Sequence, residues 1–167
     1  NSQVLVSYDN RRNKVSVRDP NYGTMSYKYD ALGNIKTMVS AQYAIEMEYD
    51  VLGRLNSRVE KDFRSGKTRV ARWEYSRDNG YDGLLTRVST SGGHQMEYVY
   101  DDKFRIMYTI EHIKGGRYKT AYSYDEASRV STISYPSGFC VEKKYSNTGY
   151  EMMVCDAKTQ MVLWKTD

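Results

Sequence analysis

Long apolar runs, basic runs and catalytic signatures are all missing from this chain of 167 residues. No stretch approaches the roughly 20 apolar residues of a membrane-spanning helix, and nothing has the charged-then-apolar pattern of a signal peptide. Lys and Arg total 25 against 21 Asp and Glu, a net charge of +4, and they are scattered among the acids. That is a solvated surface, and it argues against a nucleic-acid partner. Histidine and cysteine number two each. Neither His94 nor His112 has a Cys, a second His or a carboxylate at metal-ligand spacing, and there is no CxxC pair. G-x-S-x-G, H-E-x-x-H and P-loop patterns are absent as well. The sequence therefore implies no enzyme, with no catalytic residue, no metal site and no cofactor. For Cys140 and Cys155, a disulfide and two free thiols both stay open. The chain opens on Asn1 rather than Met, as a fragment or a processed piece would, so a missing targeting signal says little about compartment.

Aliphatic content is modest, with a mean hydropathy of −0.75. Such a composition suggests disorder when net charge is high. Here the charge is small, and 17 tyrosines supply large buriable rings with a polar tip. The expectation is a folded protein whose core is thin and aromatic.

What the chain does contain is repetition, and repetition decides architecture. Tyr29 begins YDALGNI and Tyr49 begins YDVLGRL: Tyr-Asp-x-Leu-Gly, a polar residue, then an aliphatic one. Looser copies start at Tyr8 (YDNRRNKV), Tyr75 (YSRDNGYDGLL), Tyr100 (YDDKFRI), Tyr124 (YDEASRV) and Tyr145 (YSNTGYEM). Steps of 20 to 26 residues separate these seven lead tyrosines, which together span nearly the whole chain. It reads as a single repeat array over residues 1–167.

Before each lead tyrosine the residues alternate. Met25, Tyr27 and Tyr29 share one face of an extended chain, as do Ile45, Met47, Tyr49; Ala71, Trp73, Tyr75; Met96, Tyr98, Tyr100; and Thr120, Tyr122, Tyr124. Val4, Val6, Tyr8 and Val141, Lys143, Tyr145 follow suit, with only Lys143 breaking the apolar series. Charged residues such as Glu46, Glu48 and Arg72 fall on the other face. Period-two alternation rich in aromatic and β-branched residues marks half-buried strands. After each phrase a second alternation is expected, with Ile35, Thr37, Val39 on one face, and likewise Leu55, Ser57, Val59; Ile106, Tyr108, Ile110; Val15, Val17; and Val130, Thr132.

The phrase itself reads as a turn, in which Asp bonds local amides and Gly33, Gly53 and Gly149 supply positive φ. Asp9, Asp30, Asp50, Asp101 and Asp125 recur at repeat spacing, as turn formers rather than a catalytic pair. Where Arg12, Phe104 or Ser128 replaces the glycine, positive φ is not expected. Second turns are marked at Asn21–Gly23, Ser65-Gly66, Gly92-Gly93, Gly115-Gly116 and Pro136–Gly138. The run DNGYDG from Asp78 has hairpin dipeptides, Asn79-Gly80 and Asp82-Gly83, and lacks the ligand spacing of a calcium loop. Each unit is thus strand, turn, strand: an all-β antiparallel meander of about fourteen strands, roughly 65 Å across at about 4.8 Å per strand. A strip that wide must curl, split or flatten, and its apolar face needs a cover.

At YDALGNI and YDVLGRL the sequence resembles the RHS (rearrangement hotspot), or YD-repeat, family. That family includes polymorphic toxins, the B and C components of insecticidal toxin complexes, wall-associated proteins and teneurins. Two copies match well and five in part. The resemblance implies a segment of a longer RHS-type protein, secreted or at the cell surface. Its β-strip would spiral into a shell that encloses or presents a polypeptide. The implied partners are the rest of that chain or the enclosed polypeptide. Arg18-Asp19-Pro20-Asn21-Tyr22-Gly23 is the nearest match to the family's self-cleavage motif. It lies inside a unit at the N-terminal end and reads more simply as a hairpin turn.

The face bearing Tyr27, Met47, Trp73, Tyr98 and Tyr122 has the strand register of a core. Its alternative role is a carbohydrate-binding or adhesive surface. An isolated strip with an uncovered aromatic face and two open edges is also expected to self-associate.

Overall fold

The computed structural model describes residues 3–77 and 83–166, all of it strands and turns. The strands are β1 (Leu5–Tyr8), β2 (Lys14–Asp19), β3 (Gly23–Tyr29), β4 (Ile35–Val39) and β5 (Tyr43–Tyr49). Next come β6 (Leu55–Asp62), β7 (Thr68–Tyr75), β8 (Leu85–Thr90), β9 (Gln95–Tyr100) and β10 (Ile106–Ile113). The last are β11 (Gly116–Tyr124), β12 (Val130–Ser134), β13 (Cys140–Tyr145), β14 (Glu151–Asp156) and β15 (Val162–Lys165). They hydrogen-bond in sequence order as one 15-stranded sheet. Every lead tyrosine is the last residue of an odd-numbered strand. β15 is one strand more than the seven units supply. The DNGYDG turn lies outside the described residues except for Gly83.

Two compact units divide the chain: Asn1–Glu74 with Val88–Gly92, and Tyr75–Arg87 with Gly93–Asp167. The first holds one buried apolar residue among those described, Ile45; the second holds Ile110, Val141 and Cys155. The core is as thin as the composition implies. Most strand residues are half-buried, as expected of sheet residues covered mainly by their cross-strand neighbours.

The first strands β3, β5 and β7 alternate as their sequence suggests: in β5, Ile45, Met47 and Tyr49 are covered while Glu46 and Glu48 are exposed, whereas β1 is exposed throughout and β9 and β13 have no exposed residue. The second strands do not keep the expected faces. Tyr29 pairs with Ile35 but Lys28 pairs with Thr37, so Lys36 is an extra residue. The same shift leaves Val15, Asn56, Met107, Ser131 and Met152 as extras in their units. One inserted residue is a β-bulge, and it reverses the parity of everything after it. Only the first residue of each expected trio therefore faces with the tyrosines. Met38 rather than Thr37 or Val39 lies opposite Tyr27, and Ile133 rather than Thr132 lies opposite Tyr122. Likewise Val17 opposes Val6 across the extra Val15, and Arg58 opposes Met47 where Ser57 was expected. Tyr108 and Ile110 turn to the other face, opposite Val99 and Glu97.

This correction changes the face itself. The aromatic side is interrupted by Arg58 and Glu60, paired at 2.7 Å, and by Glu111 opposite Met96. The opposite side holds two of the most buried residues, Ile110 and Cys155, across from Glu97 and Glu142. Neither face is uniformly apolar.

Candidate functional site

The repeated feature is the turn and what it hands to the next unit. In the turn after Tyr100, the Asp101 amide donates to the Arg105 carbonyl, and the Phe104 amide donates to the Asp101 carbonyl. The same pair of bonds recurs at Asp9, Asp30, Asp50 and Asp125, and at Ser146 in the last unit. One carboxylate oxygen of each aspartate accepts the backbone amide four residues on: Asn13, Asn34, Arg54, Arg105 and Arg129. The second oxygen accepts from that residue's side chain, at 2.6 Å for Arg54 Nε and 3.0 Å for Asn34 Nδ2. This explains the polar position of the phrase. It must carry a donor that can reach back to the aspartate.

These bonds favour the ionised form and hold the carboxyls below the usual carboxylate range. For Asp9, Asp30 and Asp101 the largest cause is the side chain four residues on; for Asp50 and Asp125 it is that residue's backbone amide. All five carboxylates are engaged within their own turns.

The fifth residue of the turn sits in the left-handed region in every described copy. Gly33, Gly53 and Gly149 have φ of 88°, 76° and 91°. Arg12, Phe104 and Ser128 have φ of 65°, 62° and 61°, against the expectation that only the glycine copies need positive φ. The two backbone bonds and the aspartate clamp impose the conformation whatever the side chain. The non-glycine copies bear its cost, about 1–2 kcal/mol for an L-residue.

Each bulge leaves the end of its strand unpaired with the following unit. The β2–β3 ladder, for example, stops at Ser16 and Ser26, short of Lys14. There the next lead tyrosine takes over. Tyr29 Oη donates to the Lys14 carbonyl at 2.7 Å, Tyr49 to Ile35 at 2.9 Å, and Tyr100 to Leu85 at 2.8 Å. Tyr124 and Tyr145 donate to Ile106 and Val130, both at 2.8 Å. A carbonyl that the bulge would orphan is satisfied by a side chain about 14 to 18 residues on. Desolvation raises the pKa of Tyr49, Tyr100 and Tyr124. The lead tyrosine is therefore a staple between consecutive units. Arg105 and Arg129 lie over the rings of Tyr124 and Tyr145, at 4.3 and 4.5 Å, while bonded to their own aspartates.

No family model matches the chain, and no curated protein matches it. Solved structures do. TcdB2-TccC3 superimposes on 95% of this chain with a TM-score of 0.79 at 16% identity. TcdB2-TccC3 without its hypervariable C-terminal region covers 98% with a TM-score of 0.80, also at 16% identity. These are toxin-complex chains with RHS/YD repeats. The fold is a YD-repeat fold. This chain spans 9% of the length of each of those structures.

Outside the YD turns, the other candidate residues fall as follows. Tyr27, Met47, Trp73, Tyr98 and Tyr122 are all half-buried, and Lys14 Nζ lies 4.7 Å from the Tyr27 ring centre. His94 Nε2 is 2.7 Å from Glu111 Oε1, and His112 Nε2 is 3.5 Å from Glu97 Oε1. Among the described residues no three His, Cys, Asp or Glu side chains gather as a metal site would require. Cys140 and Cys155 are both free thiols, the second buried. Asp19 caps an ordinary turn, accepting the Asn21 amide at 2.7 Å, with Gly23 at φ 83°. An open groove of about 530 Å³ runs beside Arg58, Glu60, Arg69 and Ser91. Glu60 contacts both arginines, and Lys67 also lines the groove, so its cations outnumber its one carboxylate.

The staple partner is what sequence reasoning missed. Its signal is the residue that closes each phrase: aliphatic and six residues after the lead tyrosine at Ile35, Ile106 and Val130, a lysine at Lys14, and ten residues on at Leu85 in the stretched unit.

Proposed function

We propose that this chain is a non-catalytic structural segment of an RHS-type shell, one that encloses or presents a polypeptide in toxin delivery or at a cell surface. The observation that carries the reading is the staple. Lead Tyr, Asp, turn residue, donor and closing aliphatic residue each have a partner inside the array, so the repeated chemistry is spent on joining one unit to the next. The likeness to TcdB2-TccC3 over almost the whole chain supports the same role. The rest of a longer RHS-type chain is the nearest partner, and the enclosed polypeptide the second. Secretion or surface display goes with it.

The test is electron cryomicroscopy of the longest natural polypeptide that carries this sequence. A hollow shell walled by YD units, with polypeptide density inside, is the expected result. An open array with no interior would overturn the reading.

A further inference from the structure

We infer that the groove beside Arg58 and Arg69 is a docking site for an acidic polypeptide segment, with an apolar side chain seated over Ala71 and carboxylates on Lys67 and Arg69. The starting point is a break in the repeat. Where a second strand meets the following first strand, one rung lies four residues before the lead tyrosine. It is Val17 with Met25, Met38 with Ile45, and Ile133 with Val141. Thr109 with Thr120 fills it with two branched side chains. At the same rung between β6 and β7, Arg58 meets Ala71. The alanine leaves out the bulk that its counterparts supply, and the groove of about 530 Å³ opens there.

The next rung on that side is Glu60 with Arg69. Glu60 sits 2.7 Å from Arg58 and 3.6 Å from Arg69, so its charge goes mainly to the first. Arg69 is 74% exposed. Lys67 also lines the groove, and its ammonium has no acidic partner among the described residues. Ser91 ties the turn before β9 to β7: its amide donates to the Val70 carbonyl at 2.8 Å, and its Oγ accepts the Val70 amide at 3.0 Å. The hydroxyl proton is left for a ligand. All of these residues belong to the first unit, with β5 paired beyond β6 and the Ser91 turn bonded beyond β7, so neither end of the chain creates the opening.

Two features choose the ligand. A vacancy in a rung otherwise built of Met, Ile and Val fits an aliphatic side chain. Cations in excess beside it fit carboxylates. A sulfated glycan would meet the cations but has no aliphatic side chain for the vacancy. The site stands whether or not the array closes into a shell, because it is built within one unit.

The probe is a fluorescently labelled Glu-Leu-Glu-Leu-Glu peptide, titrated with the whole chain and followed by fluorescence anisotropy. Saturable binding is expected. Gln-Leu-Gln-Leu-Gln and Glu-Ser-Glu-Ser-Glu should each bind at least about tenfold more weakly. Lys67→Gln with Arg69→Gln should weaken binding about fivefold to tenfold. Lys158→Gln, exposed on a turn of the other unit, should leave it unchanged. Ala71→Met, which supplies the side chain found at Met25, should abolish binding while the urea midpoint holds or rises. Absence of saturable binding, equal affinity for the glutamine peptide, or undiminished binding to Ala71→Met would each overturn the proposal. A heparin oligosaccharide that bound more tightly than the peptide, and was weakened by the same double variant, would overturn it in favour of a sulfated glycan. None of these outcomes bears on the shell, which the microscopy tests separately.

Discussion

Arg105 lies over the ring of Tyr124 with its guanidinium carbon 4.3 Å from the ring centre, held there by the carboxylate of Asp101. The same ring's hydroxyl bonds the Ile106 carbonyl, one residue beyond that arginine. One turn thus grips the next unit's tyrosine at both its face and its tip. The two contacts should be energetically coupled, since both depend on where the ring sits. A double-mutant cycle of Arg105→Met and Tyr124→Leu, followed by urea unfolding, should give a coupling of about 0.5–1 kcal/mol. Additive losses would mean that the stacking contributes nothing of its own.

Left-handed residues that are not glycine make a second test. Ser128→Gly and Phe104→Gly remove a steric cost that φ of 61° and 62° imposes, and each should stabilise the chain by up to about 1 kcal/mol. Gly53→Val and Ser128→Val should both destabilise it, because both positions now prove to be left-handed. An unchanged or lower urea midpoint for Ser128→Gly would contradict this account of the turn.

The aspartates predict an acid limb. Folding lowers the pKa of Asp101, chiefly through the Arg105 side chain, and of Asp50, chiefly through the Arg54 amide. A lowered folded value means that the stabilisation is fully present above the ordinary value of 3.8 and is lost as pH falls below it. Urea midpoints measured downward from about pH 6 should drop most steeply below about pH 4. Asp101→Asn with Asp125→Asn should flatten that drop, and an undiminished drop in the double variant would count against the clamp.

The thiols give a quick check on burial. Cys155 is 1% exposed and Cys140 is partly exposed. Under native conditions a thiol reagent should therefore label Cys140 first, with Cys155 following only on unfolding. Equal rates would show that β14 is not packed as described.

The first strands and the turns were legible in the sequence because alternation before Tyr29 or Tyr49 runs uninterrupted into the phrase. The second strands were not. Lys36 and Asn56 look like ordinary strand residues, yet each is the extra residue that reverses the faces beyond it, so Thr37 and Ser57 land opposite Lys28 and Glu48. Periodicity alone has no mark for a one-residue insertion. The turn at Ser128 was misread for a related reason. Its conformation is set by the Asp125 amide and carbonyl, and serine itself gives no sign of it. The tyrosine staple joins positions about 14 to 18 residues apart, beyond the reach of any local pattern.

That staple is the centre of the account, and a series of single Tyr→Phe variants tests it most directly. Tyr29, Tyr49, Tyr100, Tyr124 and Tyr145 each lose one hydroxyl bond to a backbone carbonyl of the preceding unit. Tyr22 and Tyr150, exposed on turns at 87% and 76%, serve as controls. Urea unfolding should show a loss of about 1 kcal/mol or more for each of the five, and changes within about 0.5 kcal/mol for the two controls. Five variants as stable as the controls would contradict the claim that these tyrosines join one repeat to the next.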